Sequence, residues 1–94
     1  MNAKPCPAKF RLGHIVSTPN TLNNLTQDDI LVAIQRHQAG DWGDVDERDR
    51  QENELFLKQG LRLLSVYHAS SGIKFWLITE ADRSATTILL PEDY

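Results

Sequence analysis

Residues 61–90 read LRLLSVYHASSGIKFWLITEADRSATTILL, and they carry the clearest secondary-structure pattern in the chain. Here large apolar residues recur at a period of two, and the stretch is rich in β-branched and aromatic side chains, as strands are. The three strand candidates are residues 61–68, 73–80 and 85–90. The loops 69–72 and 81–84 have hairpin length, so two successive hairpins predict an antiparallel β-meander.

The residues before the meander predict helices. Thr18 followed by Pro19 is typical of a helix start. Thr26, with Asp29 three residues later, resembles a capping box and starts a second helix, which Gly40 ends. The predicted apolar face of that second helix consists of Ile30, Leu31, Ile34 and His37.

A third helix follows the loop after Gly40. Asp44 or Asp46 can cap it, and it is predicted to run to about Gln59, with Gly60 as its stop. Its first two turns are almost wholly polar, while residues 55–57 are apolar. The third helix is therefore predicted to pack through its C-terminal half and to extend its start into solvent.

Together these patterns predict an α+β fold, with two to three N-terminal helices packed on a three- to four-stranded antiparallel β-meander. The fourth strand candidate is residues 10–16, which end in a β-branched pair. Residues 10–94 are predicted to form a single domain. Residues 1–9, where two prolines flank Cys6, are predicted to be a flexible tail.

Composition narrows the function classes. The formal net charge is −3, which argues against nucleic-acid binding by bulk electrostatics. Cys6 is the single cysteine, so no intramolecular disulfide is expected. No apolar run approaches the roughly 18 residues of a membrane span, and the N-terminus lacks a signal-peptide pattern, so a cytoplasmic location is expected. A homo-oligomer is compatible with the small predicted core.

The acidity is local. Residues 41–54 contain seven of the thirteen acidic side chains, opposed there only by Arg48 and Arg50. One interpretation is a surface that binds a protein partner. The other is a solvated helix whose charges pair internally, for example Arg48 with Glu52.

The most distinctive stretch is RHQAGDWGD at 36–44, where an imidazole, carboxylates and an indole lie around two glycines. It suggests a recognition loop with Trp42 as its anchor, or a general base held by a carboxylate. The predicted binding residues are His37, Asp41, Trp42, Asp44, Asp46 and Asp49. No metal or other cofactor is predicted, because the acids lack the spacing of a calcium loop. The alternative is structural: these residues end one helix, cap the next and cover the core edge.

A second candidate set includes the sheet. His37, Arg62 and Ser65 could cleave RNA if they met, with the imidazole taking the 2′-hydroxyl proton and the guanidinium stabilising the phosphate. The alternative is that the polar sheet residues are strand formers on a solvent face. No catalytic residues are therefore assigned, and an enzyme is the less favoured hypothesis.

The segments GDWGD at 40–44, ITEADRS at 78–84 and LLPEDY at 89–94 resemble a family of small bacterial proteins found on plasmids and other mobile elements. That family has no established activity. The resemblance implies a mobile-element setting, where small proteins interfere with host defence, toxins or replication. The expected function is a small acidic protein-binding module, an inhibitor or regulator. A small endoribonuclease-like toxin is the alternative.

Overall fold

The computed structural model describes residues 8–94, and there three α-helices and a four-stranded sheet confirm the predicted α+β class. The elements are β1 His14–Ser17, α1 Pro19–Asn24, α2 Gln27–Gln38, α3 Glu47–Gln59, β2 Leu63–His68, β3 Lys74–Thr79, β4 Ala85–Leu89 and a 3₁₀ helix, Pro91–Asp93. Residues 1–7, which include Cys6 and most of the predicted tail, lie outside the described residues. The backbone N–H of Lys9 donates to the carbonyl of Gln38.

The helices begin and end where local side-chain chemistry predicts. Thr18 caps α1 by accepting a backbone N–H of the first turn. Thr26 and Asp29 form the capping box of α2, each side chain accepting the other residue's backbone N–H. Asp46 caps α3, and Gly60 ends it with a left-handed φ of 69°. Each of these interactions spans only a few residues, which is why sequence patterns predict them.

Two helix faces differ in part from the prediction. On α2 the predicted face residues Ile30, Ile34 and His37 pack towards the core, whereas Leu31 is 54% exposed. On α3 the buried residue is Asn53, and Leu55 is 49% exposed. The predicted apolar face of α2 is therefore confirmed except at Leu31, whereas α3 meets the sheet through the polar side chain of Asn53. Periodicity places a stripe on a helix but does not determine which neighbouring position faces the sheet.

The sheet is mixed, which corrects the prediction of a purely antiparallel meander. β2, β3 and β4 form the two predicted hairpins, but β1 pairs with β4 in parallel, so the strand order is β1-β4-β3-β2. Parallel neighbours need a long connection, and here three helices and two strands lie between β1 and β4 along the chain. Local alternation specifies a strand but not its partner, so the direction of β1 was not predictable from it.

The two faces of the sheet have different surroundings because side chains alternate along each strand. One face packs on α2, with Tyr67, Phe75, Leu77 and Ile88 in the core, and we call it the helix-covered face. The other face is called the second face. Its residues, given by the strand register, include Leu64, Val66, Trp76, Ile78, Thr87 and Leu89.

The outer edge of β2 is covered by the chain itself. The Asn53 side chain donates to the carbonyl of Leu64 at 2.7 Å and accepts the Leu64 N–H at 3.2 Å. The Val66 N–H donates to the carbonyl of Trp42, and the Asp44 N–H donates to the carbonyl of Val66. Asn53 thus replaces a strand backbone, and the 42–44 loop acts as a short extra strand, which leaves this edge protected from further pairing.

Gly43 lies where this loop crosses β2, and it offers a direct test of the close approach. Its φ is 76°, and a Cβ at this position would lie 1.9 Å from the Val66 carbonyl oxygen. Gly72 also has a left-handed φ, 93°, but no atom lies within 4 Å of its would-be Cβ. We expect Gly43→Ala to lower the free energy of unfolding by at least about 2 kcal/mol more than Gly72→Ala does. Urea denaturation followed by circular dichroism measures both; equal losses would show that the loop does not lie this close to β2.

Candidate functional site

The corner between α2 and α3 is built around a histidine with no exposed surface. His37 Nδ1 lies 2.5 Å from Ser65 Oγ, and Nε2 lies 2.8 Å from Thr79 Oγ1. Thr79 Oγ1 is 2.7 Å from Thr86 Oγ1, which donates to the carbonyl of Leu12 at 2.7 Å. This set of hydrogen bonds, the His37 chain, joins α2 to β2, β3 and β4 and to the segment before β1.

The carbonyl at the end of the His37 chain fixes the direction of its protons. A carbonyl oxygen only accepts, so Thr86 donates its one hydroxyl proton to Leu12 and accepts from Thr79. Thr79 therefore accepts from His37 Nε2–H. A neutral imidazole with a proton on Nε2 has an acceptor at Nδ1, which takes the hydroxyl proton of Ser65. The geometry thus assigns a single neutral tautomer to His37.

Burial also holds this imidazole neutral. Loss of solvation lowers the pKa of His37 to about 3, and the positive charge of Arg83 lowers it in the same direction. A general base needs a pKa near the working pH and contact with the proton that it removes. His37 has neither in this conformation, because its ring is fully buried and both of its nitrogens already have partners.

Two aromatic rings enclose His37. Phe10 meets its ring edge-to-face with centroids 5.1 Å apart, and Trp42 does so at 5.7 Å. Trp42 is only 2% exposed, and its indole N–H donates to Glu54 at 2.7 Å. This burial argues against the hypothesis of a recognition loop with Trp42 as its anchor. The residue covers the core edge, which was the structural alternative.

The predicted acidic binding residues next to this corner have internal partners. The Asp41 carboxylate accepts two hydrogen bonds from the Arg36 guanidinium, at 2.7 and 3.2 Å, and these lower the pKa of Asp41. Asp44 lies 2.6 Å from Nδ1 of His68. Asp46 accepts the backbone N–H that caps α3. All three carboxylates therefore help to hold the corner in place.

The three residues of the ribonuclease hypothesis do not converge. His37 and Ser65 meet on the helix-covered face, where both are fully buried. Arg62 belongs to the second face, with its guanidinium 3.6 Å from Glu80 and 3.5 Å from the hydroxyl of Tyr94. A phosphate group could not contact the imidazole and the guanidinium at the same time in this arrangement.

A groove that the sequence did not predict runs along the second face beside α3. It consists of two adjoining hollows of about 250 and 120 Å³, which share Arg62 and Leu64. We call it the α3 groove. Its lining consists of Asp49, Glu52, Asn53, Phe56, Arg62, Leu64, Trp76, Ile78 and Tyr94. In the sequence, the only sign of this groove is that Trp76 and Ile78 alternate with the core residues of β3. That pattern alone indicates a central strand and not a groove.

The two ends of the α3 groove differ in chemistry. At the sheet end, the rings of Trp76 and Tyr94 meet edge-to-face with centroids 5.6 Å apart. The buried indole N–H of Trp76 has no hydrogen-bond partner among residues 8–94. At the helix end, the carboxylate of Asp49 forms neither a hydrogen bond nor an ion pair within the same residues, and Glu52 lies 3.7 Å from Arg48. The groove therefore joins an aromatic floor to an acidic wall.

A larger and more open hollow of about 410 Å³ lies on α2 over Ile30, Leu31 and Ile34. Its polar lining is limited to Gln27 and Asp28. It offers aliphatic contact area but lacks aromatic side chains, which are the usual anchors of protein interfaces. The α3 groove is therefore the better candidate for specific recognition.

Three further observations bear on the class of protein. Comparison with protein-family models, with curated proteins and with solved structures finds no match to this chain. In the part of the chain that the structure describes, no three His, Cys, Asp or Glu side chains are grouped so that they could hold a metal ion. No helix of residues 8–94 combines the length and the apolar character needed to cross a membrane.

The buried imidazole makes stability depend on pH. Because the pKa of His37 is about 3 in the folded protein and about 6.5 in an unfolded chain, the unfolded state binds more protons between these values. The stability that neutral His37 contributes is complete above pH 6.5 and is lost as the pH falls towards 3. We expect the free energy of unfolding to drop by about 2–3 kcal/mol between pH 7 and pH 4.5.

His37→Gln is the matched variant, since its amide can still donate to Thr79 but does not titrate. Urea denaturation at several pH values should give a much flatter profile for this variant over pH 4.5–7, whatever its absolute stability. The pKa values of Asp29, Asp41 and Asp93 are also lowered, but these carboxylates change the free energy of unfolding mainly below this pH range. Parallel profiles for the two proteins would contradict a neutral buried His37.

Proposed function

We propose that this chain is a small acidic protein-binding module whose partner binds in the α3 groove. The observation that carries the proposal is the acidic wall of Asp49 and Glu52 beside the aromatic floor around Trp76. Protein interfaces combine an aromatic or aliphatic anchor with a polar rim that excludes water and selects the partner. The groove fits a partner segment that inserts one apolar side chain and carries Lys or Arg beside it.

The acidic surface that would contact the partner is smaller than residues 41–54. Asp41, Asp44 and Asp46 already accept bonds from Arg36, His68 and the start of α3. Their charges are therefore partly neutralised or committed to a helix cap. The acids that face the groove lie one turn apart on α3, where a basic side chain of a partner could contact both.

The resemblance to plasmid and mobile-element proteins extends the proposal to an inhibitor or regulator carried by such an element. An inhibitor needs only to occupy a surface of its target, so it requires no catalytic group. That requirement agrees with a chain whose best-connected imidazole is fully buried and uncharged. The net charge of −3 also favours a partner with basic residues over a nucleic acid.

Selection from a displayed random-peptide library tests the proposed ligand class. The selected peptides should combine an aromatic or large aliphatic residue with Lys or Arg, because the groove offers an apolar floor and carboxylates. In ¹H–¹⁵N NMR spectra, these peptides should shift the signals of Leu64, Trp76 and Ile78. Shifts confined to α1 or α2 would place the binding surface elsewhere and contradict the proposal.

Asp49→Lys is the variant that tests the acidic wall. We expect it to weaken binding of a selected basic peptide at least about tenfold, since it replaces an attraction with a repulsion. Asp28→Lys is the matched control, because Asp28 is likewise an exposed acid in the first turn of a helix but lies on α2. Isothermal titration calorimetry measures both. Equal effects of the two variants would show only a response to net charge.

A further inference from the structure

The two edges of the sheet differ in whether their outward backbone groups have hydrogen-bond partners. On β2, the N–H and C=O groups of Leu64 and Val66 that point outward are all bonded, to the Asn53 side chain and to the 42–44 loop. Covering of this kind is how proteins prevent an edge strand from pairing with another chain. The opposite edge, β1, has no such cover among the described residues.

The open groups on β1 follow from its register. The N–H groups of His14 and Thr18 donate towards β4, to the carbonyls of Ser84 and Ile88. Backbone groups alternate along a strand, so the N–H and C=O groups of Ile15 and Ser17 point away from the sheet. None of residues 8–94 bonds to these outward groups.

The side chains on this edge are apolar and accessible. Ile15 is 50% exposed and Val16 is 49% exposed, one on each face of the sheet. Exposed edges are commonly protected by a charged residue or a proline within the strand. β1, with the sequence HIVS, contains neither Lys, Arg, Asp, Glu nor Pro.

The charge distribution indicates what would cover this edge. Residues 12–27 contain no Asp, Glu, Lys or Arg, although 24% of the chain is charged. A partner selected by charge would find nothing to recognise here. In a two-fold interface between identical chains each patch meets its own copy, where like charges would repel, so an uncharged strand suits self-pairing.

We propose that β1 pairs with β1 of a second copy of this chain, antiparallel and across a two-fold axis. The outward groups of Ile15 and Ser17 then bond between copies, and the two four-stranded sheets join into one of eight strands. The contact is short because β1 has four residues. A dissociation constant on the order of 10⁻⁴ M is therefore expected, as for small interfaces. This surface is separate from the α3 groove, so each can fail without the other.

Sedimentation equilibrium between about 10 µM and 1 mM tests the association, over the range that brackets the expected constant. The wild type should shift from monomer to dimer. Ile15→Pro removes an outward N–H without touching a bond to β4, so it should remain monomeric, while Ile15→Val should still dimerise. A wild type that stays monomeric throughout, or an Ile15→Pro variant that dimerises as strongly as wild type, would overturn the proposal.

Hydrogen exchange of the wild type gives a test that does not depend on the folding of a variant. The amides of Ile15 and Ser17 should exchange about fourfold more slowly at about 1 mM than at about 10 µM, because most chains are dimeric only at the higher concentration. The amides of His14 and Val16 should not change, since they bond within the sheet. Protection of Ile15 that is independent of concentration would assign the edge to an intramolecular partner and overturn self-pairing.

Discussion

The His37 chain is the constraint on which the rest of this structure depends. It crosses the helix-covered face from Ser65 through His37 and Thr79 to Thr86, and so fixes α2 against three strands at once. Its end on the Leu12 carbonyl also holds the segment that leads into β1. Each buried polar group in such a network has a partner only while the others stay in place, and losing one partner costs about 1–3 kcal/mol.

The residues that hold the fold together and the residues of the α3 groove lie in different parts of the molecule. The 37–44 corner contains the imidazole and carboxylates that suggested a functional site. These side chains point into the core or are paired within the chain, and Phe10 and Trp42 enclose the imidazole. The α3 groove forms on the second face of the sheet, opposite to the face that carries the His37 chain. A rigid corner therefore positions α3 beside β2, where Asn53 binds the edge of the strand and brings the acidic wall next to the aromatic floor.

The sequence predicted what depends on near neighbours along the chain. The Thr26–Asp29 capping box, the Asp46 cap and the two hairpins involve residues only a few positions apart. The direction of β1 was not predictable, because its partner β4 lies at the far end of the chain. The same holds for His37, whose partners Ser65 and Thr79 are 28 and 42 residues away. The groove was missed because it forms from α3, two strands and Tyr94 together.

The protonation state of the His37 imidazole is the most direct test of the His37 chain. ¹⁵N NMR of the imidazole between pH 7.5 and pH 5 distinguishes a protonated ring nitrogen from an unprotonated one. We expect a proton on Nε2, an unprotonated Nδ1 and no titration over this range, since the pKa of His37 is about 3. A ring that titrates near pH 6.5, or one that carries its neutral proton on Nδ1, would contradict the direction of the His37 chain and its structural role.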